Sequence, residues 1–421
     1  MSAPSPDAAG DGPAVPPVAD APLDVAPLDV ASVADTPEDD APVDEPRAFR
    51  LEDPLPRGTT LLEASAGTGK TWTIAALVAR YVAEAGLPVE QLLVMTFSRE
   101  STRELRERVR ARLVEARDAL ARDVPPEEEP DELLALLRRG GADDVALRRR
   151  RLADALASFD AATVTTTHGF CQRVLLTLGA GADHDARTQL VEDVRDVVDE
   201  VAHDLYLRRW AVPGAEEPAL SPADFRDLAR VSALDPATDL LPRDGDHDVP
   251  ALPALRARVG RAVRAEVQRR LRAAGQMGYD DLLLRLAHVL EDASGGPRAR
   301  ERLRALHRVV LVDEFQDTDP VQWRVLRAAF HDAPAAVAAG AAGGGVARAL
   351  VLVGDPKQAV YGFRGADVRA YLDARDAASD LRTLATNQRS DEPVLRGLDA
   401  VLAGAALGDA RIRVRPLAAR F

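Results

Sequence analysis

Cysteine is nearly absent from these 421 residues: Cys171 stands alone, which excludes an internal disulfide and any cysteine-based metal cluster. Lysine is almost as scarce. Of the 54 basic residues only Lys70 and Lys357 are lysines, and the others are arginine. Where so biased a composition keeps a lysine, the position calls for a compact ammonium that a planar guanidinium does not replace. Aromatics make up 4% against 46% hydrophobic residues, so aliphatic side chains must fill the cores. No apolar run approaches the ~18 residues of a membrane span, and the N-terminus lacks the basic-then-apolar pattern of a signal peptide. A soluble, cytoplasmic protein without membrane contact is the expectation.

Basic residues are missing altogether from residues 1–46, which hold 11 acidic ones and so most of the net charge of −14. The rest of the chain, with 54 basic against 57 acidic residues, is close to neutral and is compatible with a polyanionic partner. The first 46 residues are Ala, Pro, Asp and Val, with Ala21-Pro-Leu-Asp-Val echoed from Ala26. They offer too little apolar surface to offset chain entropy, and a disordered acidic tail is expected.

From Arg47 short apolar runs alternate with amphipathic stretches. Strands are expected at Thr60–Glu63, Gln91–Thr96, Thr163–Thr166, Val309–Val312 and Leu350–Val353. One helix is expected to place Ile74, Leu77, Val78, Tyr81 and Val82 on one face, and a second to align Leu105, Val109 and Leu113. This βαβ rhythm predicts an α/β fold, a mostly parallel sheet with helices on both faces. Residues 115–155 and about 190–275 are helical without strands, and the second stretch reads as an inserted helical subdomain. Residues 334–349, rich in Ala and Gly, read as a surface loop.

Two segments carry chemistry. Ala64-Ser65-Ala66-Gly67-Thr68-Gly69-Lys70-Thr71 lies between an expected strand and helix, the context of a phosphate-binding loop. Its glycines let backbone N–H groups curl around phosphate, Lys70 reaches the β- and γ-phosphates, and the Thr71 hydroxyl is a Mg²⁺ ligand. The helix that starts here adds its positive dipole end. Ala64 stands where the strict pattern has glycine. The second segment is the strand ending in Asp313-Glu314-Phe315-Gln316-Asp317. Alone, two acids after a strand serve equally to cap the next helix. Paired with the loop, Asp313 suits a Mg²⁺ ligand and Glu314 the base that deprotonates an attacking water. Together they predict hydrolysis of a nucleoside triphosphate.

Further segments follow in order: Thr96-Phe97-Ser98, Thr166-Thr167-His168-Gly169-Phe170-Cys171, the stretch from Gly354 to Asp367, and Asn387-Gln388-Arg389-Ser390. Their order and spacing resemble the superfamily 1 helicases related to UvrD. The wording of the phosphate loop and of the Thr-His-Gly-Phe-Cys-Gln segment is similar to the RecB-type branch, over about Arg47 to Ser390. The resemblance implies a RecA-like domain at 47–189 and 276–382, the helical insertion at 190–275 between them, and the start of a second RecA-like domain at 383–421. It implies ATP and Mg²⁺ as cofactors, with Gln358 sensing the γ-phosphate and Arg389 adding positive charge from across the cleft. It further implies single-stranded DNA stacked on Phe97, Tyr361 and Phe363 and held by Thr166, His168 and Arg364. Phe97 also fits ordinary core packing, and His168 a structural hydrogen bond. Asp280-Asp281-Leu-Leu after Tyr279 resembles the segment that returns the chain to the first domain, and the insertion's arginines fit either phosphate contact or a solvated face.

The sequence departs from the pattern in places. No glutamine precedes Gln91, so adenine preference is carried over from the family, and Ser98-Arg99 stand where relatives have Thr-Asn. The remaining motifs of the second domain, and any nuclease domain, are not among these residues, so the expectation is either a fragment of a longer protein or a missing half supplied by another chain. The implied protein is a 3′→5′ DNA helicase motor in double-strand-break repair, with RecC- and RecD-like partners. Two other readings stand beside it: a truncated ATP- and DNA-binding module that does not translocate, and a subunit of another UvrD-like helicase such as the AddA type.

Overall fold

The computed structural model describes residues 45–178, 188–191, 193–214, 216–234, 239–243, 246, 250–332, 348–360 and 367–420. The expected acidic tail lies outside them but for its last two residues. The expected loop at 334–349 also lies outside but for Arg348, which pairs with Asp332, and Ala349, which already begins a strand.

In chain order, β1 (Arg47–Ala48) and β2 (Gly58–Glu63) lead into α1 (Lys70–Ala83), then β3 (Leu92–Thr96) and α2 (Arg99–Ala119). Helices α3 (Glu132–Arg138) and α4 (Ala142–Ala157) precede β4 (Thr163–Thr166) and α5 (Thr167–Leu178). Next come β5 (Gln189–Val191), α6 (Arg195–Trp210), α7 (Pro222–Leu234), α8 (Ala251–Ala273) and β6 (Gln276–Gly278). Then follow α9 (Tyr279–Glu291), α10 (Gly296–Leu306), β7 (Val309–Val312), α11 (Pro320–Phe330) and β8 (Ala349–Gly354). The chain closes with α12 (Val368–Ala377), β9 (Asp380–Thr383), β10 (Thr386–Asn387), α13 (Glu392–Leu402) and β11 (Ala418–Ala419).

Seven strands form one sheet in the order β1-β9-β2-β8-β7-β3-β4, and every pair in it is parallel. The fold is α/β, as expected. The central strands are buried on both faces, which is why β3, β7 and β8 read as nearly unbroken apolar runs. Successive residues feed opposite cores. Leu62, Val94, Leu311 and Val351 join the core shared with α1, α2 and α4, while Leu61, Met95, Val310 and Leu352 join the one under α5, α9, α10, α11 and α12. The five expected strands are present, the second starting at Leu92 because Val89–Gln91 forms a turn of 3-10 helix. The edge strand β1 and its neighbour β9 were not anticipated, since Arg47-Ala48 and Asp380-Leu-Arg-Thr carry no apolar alternation.

Helix α1 differs from the one-faced helix expected. Every residue from Thr73 to Ala83 is buried, because α2 and α4 cover the side that faces away from the sheet. Even Arg80 is interior, donating to the carbonyls of Leu51 at 2.5 Å and Asp53 at 2.8 Å while pairing with Glu84. The Tyr81 hydroxyl donates to the Pro56 carbonyl at 2.6 Å. These bonds pin the segment before β2 to the helix after it.

Helices α6, α7 and α8 pack on one another around their own core, which includes Val198, Phe225 and Val263. The rings of Tyr206, Trp210 and Phe225 meet there at centroid distances of 4.9 to 5.8 Å. The chain enters and leaves this stretch through the parallel pair β5 and β6. Several of its arginines are engaged internally: Arg230 pairs with Asp199, Arg270 with Asp204 and Glu266, and Arg264 donates to the Ser232 carbonyl. Beyond the large sheet, β10 pairs in parallel with β11 as a separate two-stranded unit.

Leu77 is fully buried in the middle of α1, and its loss opens a cavity that neither layer can fill. Leu77→Ala is expected to lower unfolding free energy by roughly 2–5 kcal/mol in urea denaturation with an unchanged slope. A loss below about 1 kcal/mol would contradict a helix packed on both sides.

Candidate active site

The carboxyl ends of β2, β7 and β8 lie side by side, and the segments quoted from the sequence leave the sheet there. The phosphate-type loop joins β2 to α1. Gly67 and Gly69 have φ of 78° and 91°, the left-handed region open to glycine. Ala64 needs no such freedom. It is fully buried, lies outside the left-handed region, and donates its N–H to the Gly354 carbonyl at 2.9 Å, extending the β2–β8 ladder. Helix α1 then starts with Gly69 in the cap position, no side-chain cap bond and no acid in its first turn. Its first N–H groups and positive dipole end suit an anion, and the residues present fit a nucleotide phosphate held by Ala64–Thr71.

At the end of β7, Asp313 is buried and donates its N–H to the Met95 carbonyl at 2.8 Å. Burial, helped by the Glu314 carboxylate and opposed by Lys70, pushes its pKa up to about 6. Glu314 has φ 51° and ψ 43°, the one positive-φ non-glycine among the described residues. That backbone is strained by roughly 1–2 kcal/mol for a side chain with a Cβ, and such strain gathers at functional positions. Here it accompanies a Glu314 carboxylate that meets the Lys70 ammonium at 2.6 Å. Gln316 Nε2 donates to the same carboxylate oxygen, Oε2, at 2.8 Å. Asp317 is buried with Oδ1 lacking a hydrogen-bond partner, and burial together with Glu314 also raises its pKa to about 6.

At the end of β8, Gln358 donates to Asp355 Oδ2 at 2.8 Å. Lys357 meets Asp355 Oδ1 at 2.7 Å and lies 3.6 Å from Glu63, which Arg415 also pairs at 2.5 Å. Both lysines therefore sit against carboxylates at strand ends. From the far side, Asn387 donates to the Ala66 carbonyl at 3.1 Å and the Gln388 N–H to the Gly67 carbonyl at 2.7 Å. A Cβ on Gly67 would come within 3.0 to 3.1 Å of Asn387 and Arg389, so this glycine is required by space as well as by φ. Arg389 is exposed beside the loop.

Lys70, Glu314, Gln316, Asp355 and Gln358 form one connected set, and Asp313 joins it through Oδ1, which accepts the Glu314 N–H at 3.0 Å. Phe97 is half-buried at the end of β3. Ser98, where relatives carry threonine, caps α2 by accepting the Ser101 N–H at 3.0 Å. Thr166 Oγ1 accepts the Gly169 N–H at 3.1 Å. His168 is half-buried edge-on to Tyr279 at 5.2 Å, and burial lowers its pKa. Cys171 is buried, with its thiol pushed up by burial. Tyr361, Phe363 and Arg364 lie outside the described residues. Gln316, Asp355 and Glu63 had no role assigned from sequence, although all three stand inside or beside the quoted motifs.

Residues 50–379 match the family model of the UvrD/REP helicase N-terminal domain. The chain belongs to the UvrD/REP helicase family. Among curated proteins it is 47% identical over 367 residues to RecBCD enzyme subunit RecB of Mycolicibacterium smegmatis, covering 87% of this chain and 32% of that protein. It is 30% identical to the RecB subunit of Escherichia coli K12, over 80% of this chain and 37% of the relative. ATP-dependent DNA helicase UvrD1 of Mycobacterium tuberculosis is 28% identical over 82% of this chain and 37% of its own length. The chain thus spans about a third of the length of these relatives. No described helix is long and apolar enough to cross a membrane.

Asp313 and Asp317 bind protons more tightly in this UvrD/REP fold than a carboxyl does at its ordinary pKa of 3.8. Their contribution to folding is therefore fully present below pH 3.8 and is lost as pH rises through about 6. Asp313→Asn is expected to flatten the decline in urea midpoint between about pH 4 and 6.5, relative to the unaltered chain. Parallel curves would remove the buried charge from the account.

Proposed function

We propose that this chain is the ATP-binding N-terminal motor portion of a RecB-type 3′→5′ DNA helicase acting in double-strand-break repair and recombination. The observation that carries the reading is the 2.6 Å contact between Lys70 and Glu314 at the uncapped start of α1, beside buried Asp313. An ammonium, a base and a buried carboxylate at the ends of neighbouring parallel strands are the parts that nucleotide hydrolysis needs. Family membership and the RecB relatives support the same reading.

In this reading the backbone of Ala64–Thr71 cradles the phosphates, and Thr71 and Asp313 hold Mg²⁺. Bound ATP and Mg²⁺ supply the reactive phosphoanhydride and the neutralising charge. Lys70 exchanges its contact with Glu314 for phosphate oxygens, which frees the carboxylate to orient an attacking water and take its proton. Gln358 senses the γ-phosphate, and Arg389 adds charge from the segment that packs on Gly67. Phe97, Thr166 and His168, with Tyr361, Phe363 and Arg364, form the surface for single-stranded DNA. Residues 190–275 act as an inserted helical subdomain, residues 383–421 begin the second RecA-like domain, and RecC- and RecD-like subunits are the partners in the cytoplasm.

The test is DNA-stimulated ATP turnover by the full-length protein. Lys70→Ala is expected to lose nucleotide binding and turnover together. Glu314→Gln is expected to keep binding of a fluorescent ADP analogue while turnover falls by roughly 10²-fold or more. Turnover retained by either variant would remove the assigned chemistry.

A further inference from the structure

The proposed chemistry leaves Gln316 without a role, although it is one of the most buried polar side chains of the site, at 3% exposure. Its amide is used at both ends. Nε2 donates to Glu314 Oε2 at 2.8 Å and more distantly to Asp317 Oδ2 at 3.4 Å. Oε1 accepts the Asp355 N–H at 3.0 Å, and the Asp355 carboxylate accepts from Gln358 Nε2 at 2.8 Å. The partners fix the orientation of the amide, since the reverse would set oxygen against a carboxylate and NH₂ against N–H. Among side chains of this length only glutamine offers a neutral donor and an acceptor together.

Gly354 gives a second, independent sign that this contact constrains the site. A Cβ there would lie 2.8 Å from Gln316 Oε1 and 3.0 Å from the Gln316 N, so β8 can approach the segment after β7 only without a side chain. The φ of Gly354 is not in the left-handed region, so conformational freedom does not explain this glycine. Close approach to Gln316 does.

We propose that Gln316 is a positioning residue for hydrolysis: it orients the Glu314 carboxylate and ties it to Asp355 and Gln358 at the end of β8. The inference rests on the reading of Glu314 as the base. Lys70, Glu314, Gln316, Asp355 and Gln358 then form a continuous chain of hydrogen bonds across three strand ends, so a shift at one is transmitted to the other. A buried amide that only satisfied the Asp355 N–H would affect folding and leave the rate of chemistry alone.

The experiment compares kcat and KM of DNA-stimulated ATP turnover by the full-length protein carrying Gln316→Met, Gly354→Ala or both, with Glu314→Gln as reference. Gln316→Met keeps the volume and removes all three side-chain hydrogen bonds. It is expected to lower kcat roughly 10–100-fold with KM and ADP-analogue affinity unchanged within about twofold. Gly354→Ala deletes no hydrogen-bonding group, pushes on Gln316 Oε1, and should produce the same split. A Cβ at Gly354 also meets the backbone nitrogens of Gln316 at 3.0 Å and Phe315 at 3.2 Å, so the double variant should lose less than the product of the two single losses, the side-chain contact being shared. A kcat of Gln316→Met within about threefold of the unaltered protein overturns the inference, and so does a fall in kcat accompanied by lost nucleotide binding. If Gln316→Met does not fold, Gly354→Ala decides by the same criteria. Turnover retained by Glu314→Gln would instead sink the underlying assignment of the base. Its loss alongside an unaffected Gln316→Met would sink only the role of Gln316.

Discussion

The parallel register of β2 against β8 is the constraint on which the rest of the site depends. It pairs Gly58 with Ala349 and runs without slippage to Glu63 opposite Gly354, then continues through the Ala64 N–H. Parallel strands present their carboxyl ends together, so the loops that leave β2, β7 and β8 emerge on one edge. A register slip of one residue would send the whole strand's side chains to the opposite cores. Because both cores are filled with aliphatic side chains from alternating positions, the register is held by packing on two sides at once. The glycine-rich loop before α1, the Asp313–Glu314 pair and the Asp355–Gln358 pair thereby stand at fixed mutual positions.

The arginine-rich composition acquires a structural meaning from these packing relations. Many guanidinium groups clamp the carbonyls left unpaired at the ends of neighbouring helices. Arg151 donates to the carbonyls of Ala83 and Glu84 at the end of α1, and Arg138 to Ala119 at the end of α2. Arg300 reaches Leu290 at the end of α9, and Arg304 reaches Ala329 near the end of α11. The planar, five-donor guanidinium satisfies two or three such oxygens simultaneously, which an ammonium does less well. The two lysines have a different setting, each set against carboxylates at the ends of sheet strands.

Much of the fold was legible in the sequence because it rests on local patterns. Buried strands made mostly of aliphatic residues, and a glycine-rich turn before a helix, report their neighbourhood directly. β1 and β9 escaped because Arg47-Ala48 is exposed and Asp380–Thr383 half-buried and polar, and both are held by backbone pairing and by ion pairs such as Arg47–Asp380 and Arg382–Asp53. The full burial of α1 also escaped, since alanines suit an exposed face and a tightly covered one equally. In the site, residue type pointed to Lys70, Asp313 and Glu314. It left Gln316 unassigned, because a glutamine acquires a role only from what lies at each end of its amide.

The sequence by itself determined the parallel α/β architecture and the position of the glycine-rich turn before α1, because each is written in spacing and side-chain type over a few residues. Tertiary structure alone decided that Ala64 can replace a glycine, that Ser98 serves as a helix cap, and that Gly354 must remain bare. Those outcomes depend on backbone torsion and on atoms brought close from distant segments: Gly354 with Gln316, Gly67 with Asn387, Ala64 with β8. Contacts across such separations have no period or motif in the chain, and only the packed sheet brings them within a few ångströms.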